Sequence, residues 1–297
     1  MPVDLDAAEA FLATHARPLD RHRFAVLFRD ASPGALLGAL DGYANSGGGY
    51  GWGLEPDLRS SSSQPGGALH AFEALADLAP VIDFRSVRLC DWLADVSLDG
   101  GALPFAFPVT DPAGCAPFWV EADPAAPSLQ ITAVVAAEAH RVAKHDPTVV
   151  GHAWVDAATR WSLRAAAELG DDPFAMEVAF ALRLVDLVND RYPEESAAAL
   201  ESLAKHFTGD GRLPVPGGAE GETMHPLDSV GRAGGPVTDL LDEGILEADL
   251  DRLEAGQGEE GGWTVDFDSF SPAASLDWRG NRTVGALITL REHGRLR

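Results

Sequence analysis

The feature that most constrains the fold is a glycine turn that recurs along the chain. Ala44-Asn45-Ser46-Gly47-Gly48-Gly49-Tyr50 precedes a polar loop and a helix-forming stretch over 65–79. Gln257-Gly258-Glu259-Glu260-Gly261-Gly262-Trp263 precedes a polar loop and the stretch 272–293. Asp99-Gly100-Gly101-Ala102-Leu103-Pro104-Phe105 is a looser third copy, and Asp210-Gly211-Arg212-Leu213-Pro214 a degenerate fourth. Each copy reads as a helix end, a glycine turn, an aromatic or apolar residue, a loop and the next helix. Glycine permits positive φ at the helix exit, and the aromatic residue wedges between neighbours. Such a repeat predicts a stacked or closed all-α array, one domain spanning 1–297.

Periodicity and end signals predict helices over 5–15, 18–29, 33–44, 65–79, 82–97, 128–145, 149–168, 174–189, 193–207, 236–255 with a break at Gly244, and 272–293. Ser32-Pro33, Asp172-Pro173 and Ser271-Pro272 read as a capping residue followed by proline in the first turn. No stretch alternates well enough to predict a sheet. Helices 149–168 and 193–207 are apolar on one side, whereas 174–189 carries two apolar stripes, through Val178 and Leu182 and through Phe180 and Leu184. A helix buried on both sides between one-sided helices implies an inner and an outer layer.

The 46 acids against 22 bases give a formal charge of −24, which repels phosphate backbones and argues against nucleic acid as a partner. Two cysteines, Cys90 and Cys115, make no disulfide framework. The first residues show no basic-then-apolar leader, and no run of about 18 apolar residues occurs, so the expectation is a cytoplasmic protein without a transmembrane segment.

Gln257-x3-Gly261-Gly262-Trp263 matches the core of the QW repeat, Q-x3-G-x-W. It resembles the superfamily of squalene–hopene cyclases, terpenoid cyclases and protein prenyltransferase β-subunits. In the first copy Ala44 stands in the glutamine position and Tyr50 replaces the tryptophan. The stretches 48–64, 101–108, 116–119 and 257–280 are also similar to bacterial prenyltransferase/squalene-oxidase repeat proteins, with a gap at 150–220. The resemblance implies an α/α toroid, a barrel of about six helical hairpins around a central, aromatic-lined cavity. It implies an isoprenoid-handling enzyme, a cyclase started by an acid, with a small apolar or isoprenoid ligand.

The acid loop Leu54-Glu55-Pro56-Asp57-Leu58-Arg59 follows the first glycine turn, so Glu55 and Asp57 are candidate acids with Arg59 as tuning partner, or Arg59 pins the loop. Asp266-Phe267-Asp268-Ser269 is an incomplete form of the cyclase D-x-D-D, which makes Asp266 and Asp268 further candidates. Trp52, Phe105, Trp119, Trp263 and Trp278 suit carbocations or sugar rings, or serve as core wedges, with His225 at the cavity mouth and Arg279 in an ion pair beside Asp277. Asp111 and Cys115 have the wrong spacing for prenyltransferase zinc, although Cys115 and His225 could meet in the fold. No metal or other cofactor is expected; magnesium enters only if the substrate is a diphosphate. Two alternatives stay open: a carbohydrate-active hydrolase or lyase using cavity carboxylates, and a non-catalytic binding or scaffold toroid.

Overall fold

The computed structural model describes residues 3–207 and 209–296. Among these, fourteen α-helices form: α1 (Leu5–His15), α2 (Pro18–Phe28), α3 (Gly34–Asp41), α4 (Pro65–Ala76), α5 (Phe84–Val96), α6 (Pro117–Val120), α7 (Leu129–Ala143), α8 (Pro147–Val150), α9 (Ala153–Ala167), α10 (Ala175–Val188), α11 (Pro193–Leu203), α12 (Pro226–Ser229), α13 (Ile245–Ala255) and α14 (Pro272–Glu292). The fold is all-α apart from one antiparallel pair, β1 (Leu213–Pro214) with β2 (Thr223–Met224). The degenerate fourth copy of the turn runs into that hairpin and does not lead to a long helix.

Local differences from expectation have local causes. The stretch 236–255 is helical only from Ile245, because Gly244 adopts φ 81° after a short 3-10 turn at Thr238–Leu240. In 149–168, Gly151 separates α8 from α9. Ser271 caps α14 by accepting the Ala274 N–H, as proline in the first turn suggests. Asp172 and Ser32 do not cap: Phe174 is the N-cap of α10 and Pro33 that of α3.

Three copies of the turn share one hydrogen-bond pattern. Asn45 N–H donates to Gly49 O at 2.9 Å, Leu98 N–H to Ala102 O at 2.8 Å, and Gly258 N–H to Gly262 O at 2.8 Å. In the reverse sense Gly48, Gly101 and Gly261 donate to the O of Asn45, Leu98 and Gly258, each glycine at φ between 84° and 97°. The apolar residue that follows then docks the next inner helix. Gln64 N–H donates to Tyr50 O and Ser128 N–H to Leu103 O, while Thr132 and Thr283 hydroxyls receive Leu103 N–H and Trp263 N–H.

The QW copy joins the two ends of the chain. The Gln257 side chain accepts Asp4 N–H and donates to Asp4 O and Gly261 O, and the Trp263 indole donates to Leu253 O. Successive packing contacts then run α2–α3–α4–α7–α10–α12–α13–α14 and return from α14 to α2. The helices α1, α5, α9 and α11 pack against members of this circuit. α7 and α10 are buried on more than one face, as the two stripes of 174–189 predict.

Gly261 is the tightest point of this closure, since a Cβ there would lie 2.1 Å from Ala7 O. Gly261→Ala is expected to destabilise the protein by about 2–4 kcal/mol, from left-handed strain plus a backbone clash. Gly38→Ala, in α3 with nothing within 4 Å of its Cβ, should be neutral or slightly stabilising. Urea unfolding of the two variants tests the pair.

Candidate functional site: an arginine-walled cavity

Around α2, α4 and α7 the structure packs ionisable side chains as well as hydrocarbon. α2 contributes buried Asp20 and Arg23, with Arg17 at its N-cap; α4 contributes buried His70 and half-buried Glu73, with buried Asp77 just past its end; α7 contributes buried Glu138 and half-buried Arg141. Arg23 Nε donates to Asp77 Oδ2 at 2.6 Å, and its Nη1 lies 3.7 Å from both Glu73 and Asp20. Burial opposes charge on Arg23, but these three carboxylates outweigh it and keep the guanidinium protonated. Glu138 is forked by Arg141 at 2.7 Å and Arg183 of α10 at 2.9 Å.

Arg23, Glu73, Arg141 and Arg183 of this network line a cavity of about 160 Å³. Its wall holds the five arginines Arg23, Arg141, Arg183, Arg252 and Arg282, against the three carboxylates Glu73, Asp228 and Glu292. Asp77, Glu138 and Asp249 pair with guanidiniums of the wall and balance their charge. Several donors nevertheless remain uncommitted. Arg183 Nε is buried without a partner, Arg141 Nη2 reaches Glu292 only at 3.9 Å, and Arg282 reaches Asp228 only at 3.6 Å.

The acid loop is wired to this cavity through His70. His70 Nε2 lies 2.9 Å from Glu55 Oε2, and its Nδ1 lies 2.9 Å from Glu73 Oε2. Burial pushes the imidazole down, yet Glu73 and Glu55 overcome this and raise it to about 9, so both ring nitrogens donate at neutral pH. Burial likewise opposes ionisation of Glu73, but the His70 imidazolium, Arg23 and the Asn281 amide hold its carboxyl well below the usual range. Glu73 is therefore an ionised carboxylate on the cavity wall, and Glu55 is the buried support behind His70.

The other sequence candidates separate into distinct roles. Asp57 is buried and accepts Phe270 N–H at 2.8 Å and the Trp278 indole at 2.7 Å. Burial raises its carboxyl despite these two bonds. It tethers the 266–278 segment to the acid loop, and Arg59 does the same by donating to Asp277 at 2.5 Å. Asp266 lies at the edge of a second chamber, its Oδ2 3.4 Å from His225 Nε2, while Asp268 is exposed. Glu55 and Asp266 thus belong to two separate networks.

The aromatic residues do not line the main cavity. Phe105 stacks on Trp119 at 4.3 Å, Trp278 meets His70 edge-on at 5.5 Å, and Trp52 is 57% exposed with its indole on Asn45. Trp263 is core and borders the second chamber. Arg279 turns away to Glu260 and the Phe11 ring. Cys115 Sγ sits near Asp111 O and His225 sits between Asp249 and Asp266, so the two do not meet. Among the described residues, no group of three or more His, Cys, Asp or Glu side chains could hold a metal ion, and no helix is long and apolar enough to cross a membrane.

Sequence reasoning missed His70, Glu73, Arg23, Arg141, Arg183 and Asn281. The available signal was charge inside otherwise apolar helices, as in Leu69-His70-Ala71-Phe72-Glu73. No family model matches this chain, and no curated protein matches it either.

His70 makes stability depend on pH. Its folded value of about 9 exceeds the ordinary 6.5, so its contribution is complete below the unfolded value and is lost as pH rises through about 9. The stability of the wild type should fall more steeply than that of His70→Gln between about pH 7 and 10. Equal slopes in urea titrations would exclude a charged His70.

Proposed function

We propose that the helices close as an α/α toroid and that its centre receives a small anionic solute. The observation that carries this reading is the wall of the cavity, where five arginines in a chain of formal charge −24 keep N–H donors that their six carboxylate partners, Glu73, Asp77, Glu138, Asp228, Asp249 and Glu292, leave uncommitted. In this reading the packing circuit that returns from α14 to α2 is the closed ring, and the cavity is its axis. Guanidinium forks bind carboxylate and phosphate oxygens in pairs, and a low-dielectric site strengthens each bond. Ion pairs already hold Arg23 and Arg141 in place, so a ligand meets a preorganised set of donors.

The isoprenoid-handling reading asks for an apolar, aromatic-lined chamber. The apolar part of this wall is a short band from Leu227, Leu253, Ala286 and Ile288, too little to fold a long hydrocarbon. An anionic ligand uses the observed lining directly, and the same polar wall is compatible with either a binding protein or an enzyme.

Isothermal titration with pyrophosphate and citrate should show binding that weakens as salt is added. Arg183→Gln should lower the affinity about tenfold or more, because it removes a charge-assisted donor from the wall. Saturable binding of farnesol with no response to either anion would overturn the reading in favour of an apolar ligand.

A further inference from the structure

We propose that the solute is a phosphorylated polyol such as a sugar phosphate, its phosphate on Arg252 and Arg282 and its hydroxyls on Asp266 and Thr264. The proposal rests on the reading of the centre as an anion site and adds the identity of the ligand's body. The central cavity adjoins a second chamber, also of about 160 Å³, and the two share Arg252, Leu253 and Arg282 as common wall.

Those two guanidiniums are lightly committed. Arg252 uses Nε on Asp249 at 2.5 Å, and Arg282 approaches Asp228 only at 3.6 Å, beyond hydrogen-bond range. Their remaining N–H groups are the donors that an anionic head at the junction meets, in the fork geometry suited to phosphate.

Beyond the junction the chemistry of the wall changes. The second chamber sets Leu253 and Trp263 on its apolar side and Thr264 and Asp266 on its polar side. His225 Nε2, 3.4 Å from Asp266 Oδ2, holds that carboxyl below its ordinary range despite partial burial. An ionised carboxylate repels a second anionic group but accepts hydrogen bonds from hydroxyls, and the threonine hydroxyl both gives and accepts. One anionic head with a hydroxylated body satisfies both chambers, whereas a ligand charged at both ends meets Asp266 unfavourably.

Titrating the full chain with inorganic phosphate, glucose 6-phosphate and glucose tests this. Glucose 6-phosphate should bind about tenfold or more tightly than phosphate, and glucose alone should bind more weakly than either. Asp266→Asn should bring the affinity for glucose 6-phosphate to within about threefold of that for phosphate, and Thr264→Val should narrow the gap in the same direction. Arg282→Gln should weaken both anions about tenfold or more, with thermal melts showing that each variant is folded. Equal affinity of the wild type for phosphate and glucose 6-phosphate overturns the polyol proposal and leaves the anion site standing. Failure of both phosphate and pyrophosphate to bind overturns the anion site itself.

Discussion

Arg23 is the interaction on which the centre of the molecule depends. It sits buried on α2 and holds Asp77 and Glu73 of the α4 region, two steps along the circuit. A guanidinium taken out of water costs several kcal/mol unless carboxylates surround it, and carboxylates buried without it would be left equally exposed to cost. The pairing therefore fixes how α2 faces α4. Through Glu73 it also fixes His70, Asn281 of α14 and, behind His70, Glu55 of the acid loop. Loss of any one partner leaves several buried charges unmatched, so the network has few intermediate arrangements.

The glycine turns explain how those charges come to one level. Because Gln64 and Ser128 dock on equivalent turn residues, and Thr132 and Thr283 do likewise, α4, α7 and α14 enter the centre in one register. Counting along each helix from those anchors, Asp77, Arg141 and Glu292 occupy the same position. A repeated backbone device thus carries acid, base and acid to one depth, with Arg141 responding to both Asp77 and Glu292. The repeat supplies the frame, and substitutions at its equivalent positions supply the chemistry.

Two buried histidines show why burial alone does not decide a charge state. His70 lies between two carboxylates and is raised to about 9, whereas His140 faces the Thr159 hydroxyl and is pushed down to about 4 by burial and Arg191. Both sit on largely buried helices, and the one local difference is Glu73, a turn after His70, where Ala143 stands a turn after His140. The difference is made by Glu55 and Glu73 on one side and Thr159 on the other, and Glu55 and Thr159 belong to different segments from the histidines they face.

The amino-acid sequence by itself determined the all-α class, most of the longer helices and their glycine exits, because periodicity, proline and glycine act over a few residues. It also placed the acid loop beside a glycine turn and marked Glu55, Asp57, Asp266 and His225 as residues worth attention. It did not distinguish the tethering role of Asp57 and Arg59 from a chemical one, since their partners Trp278 and Asp277 lie more than two hundred positions away. The arginine wall was decided only by tertiary structure. Its members come singly from α2, α7, α10, α13 and α14, each looking like an ordinary surface charge in its own helix, and only closure of the circuit turns them toward one cavity.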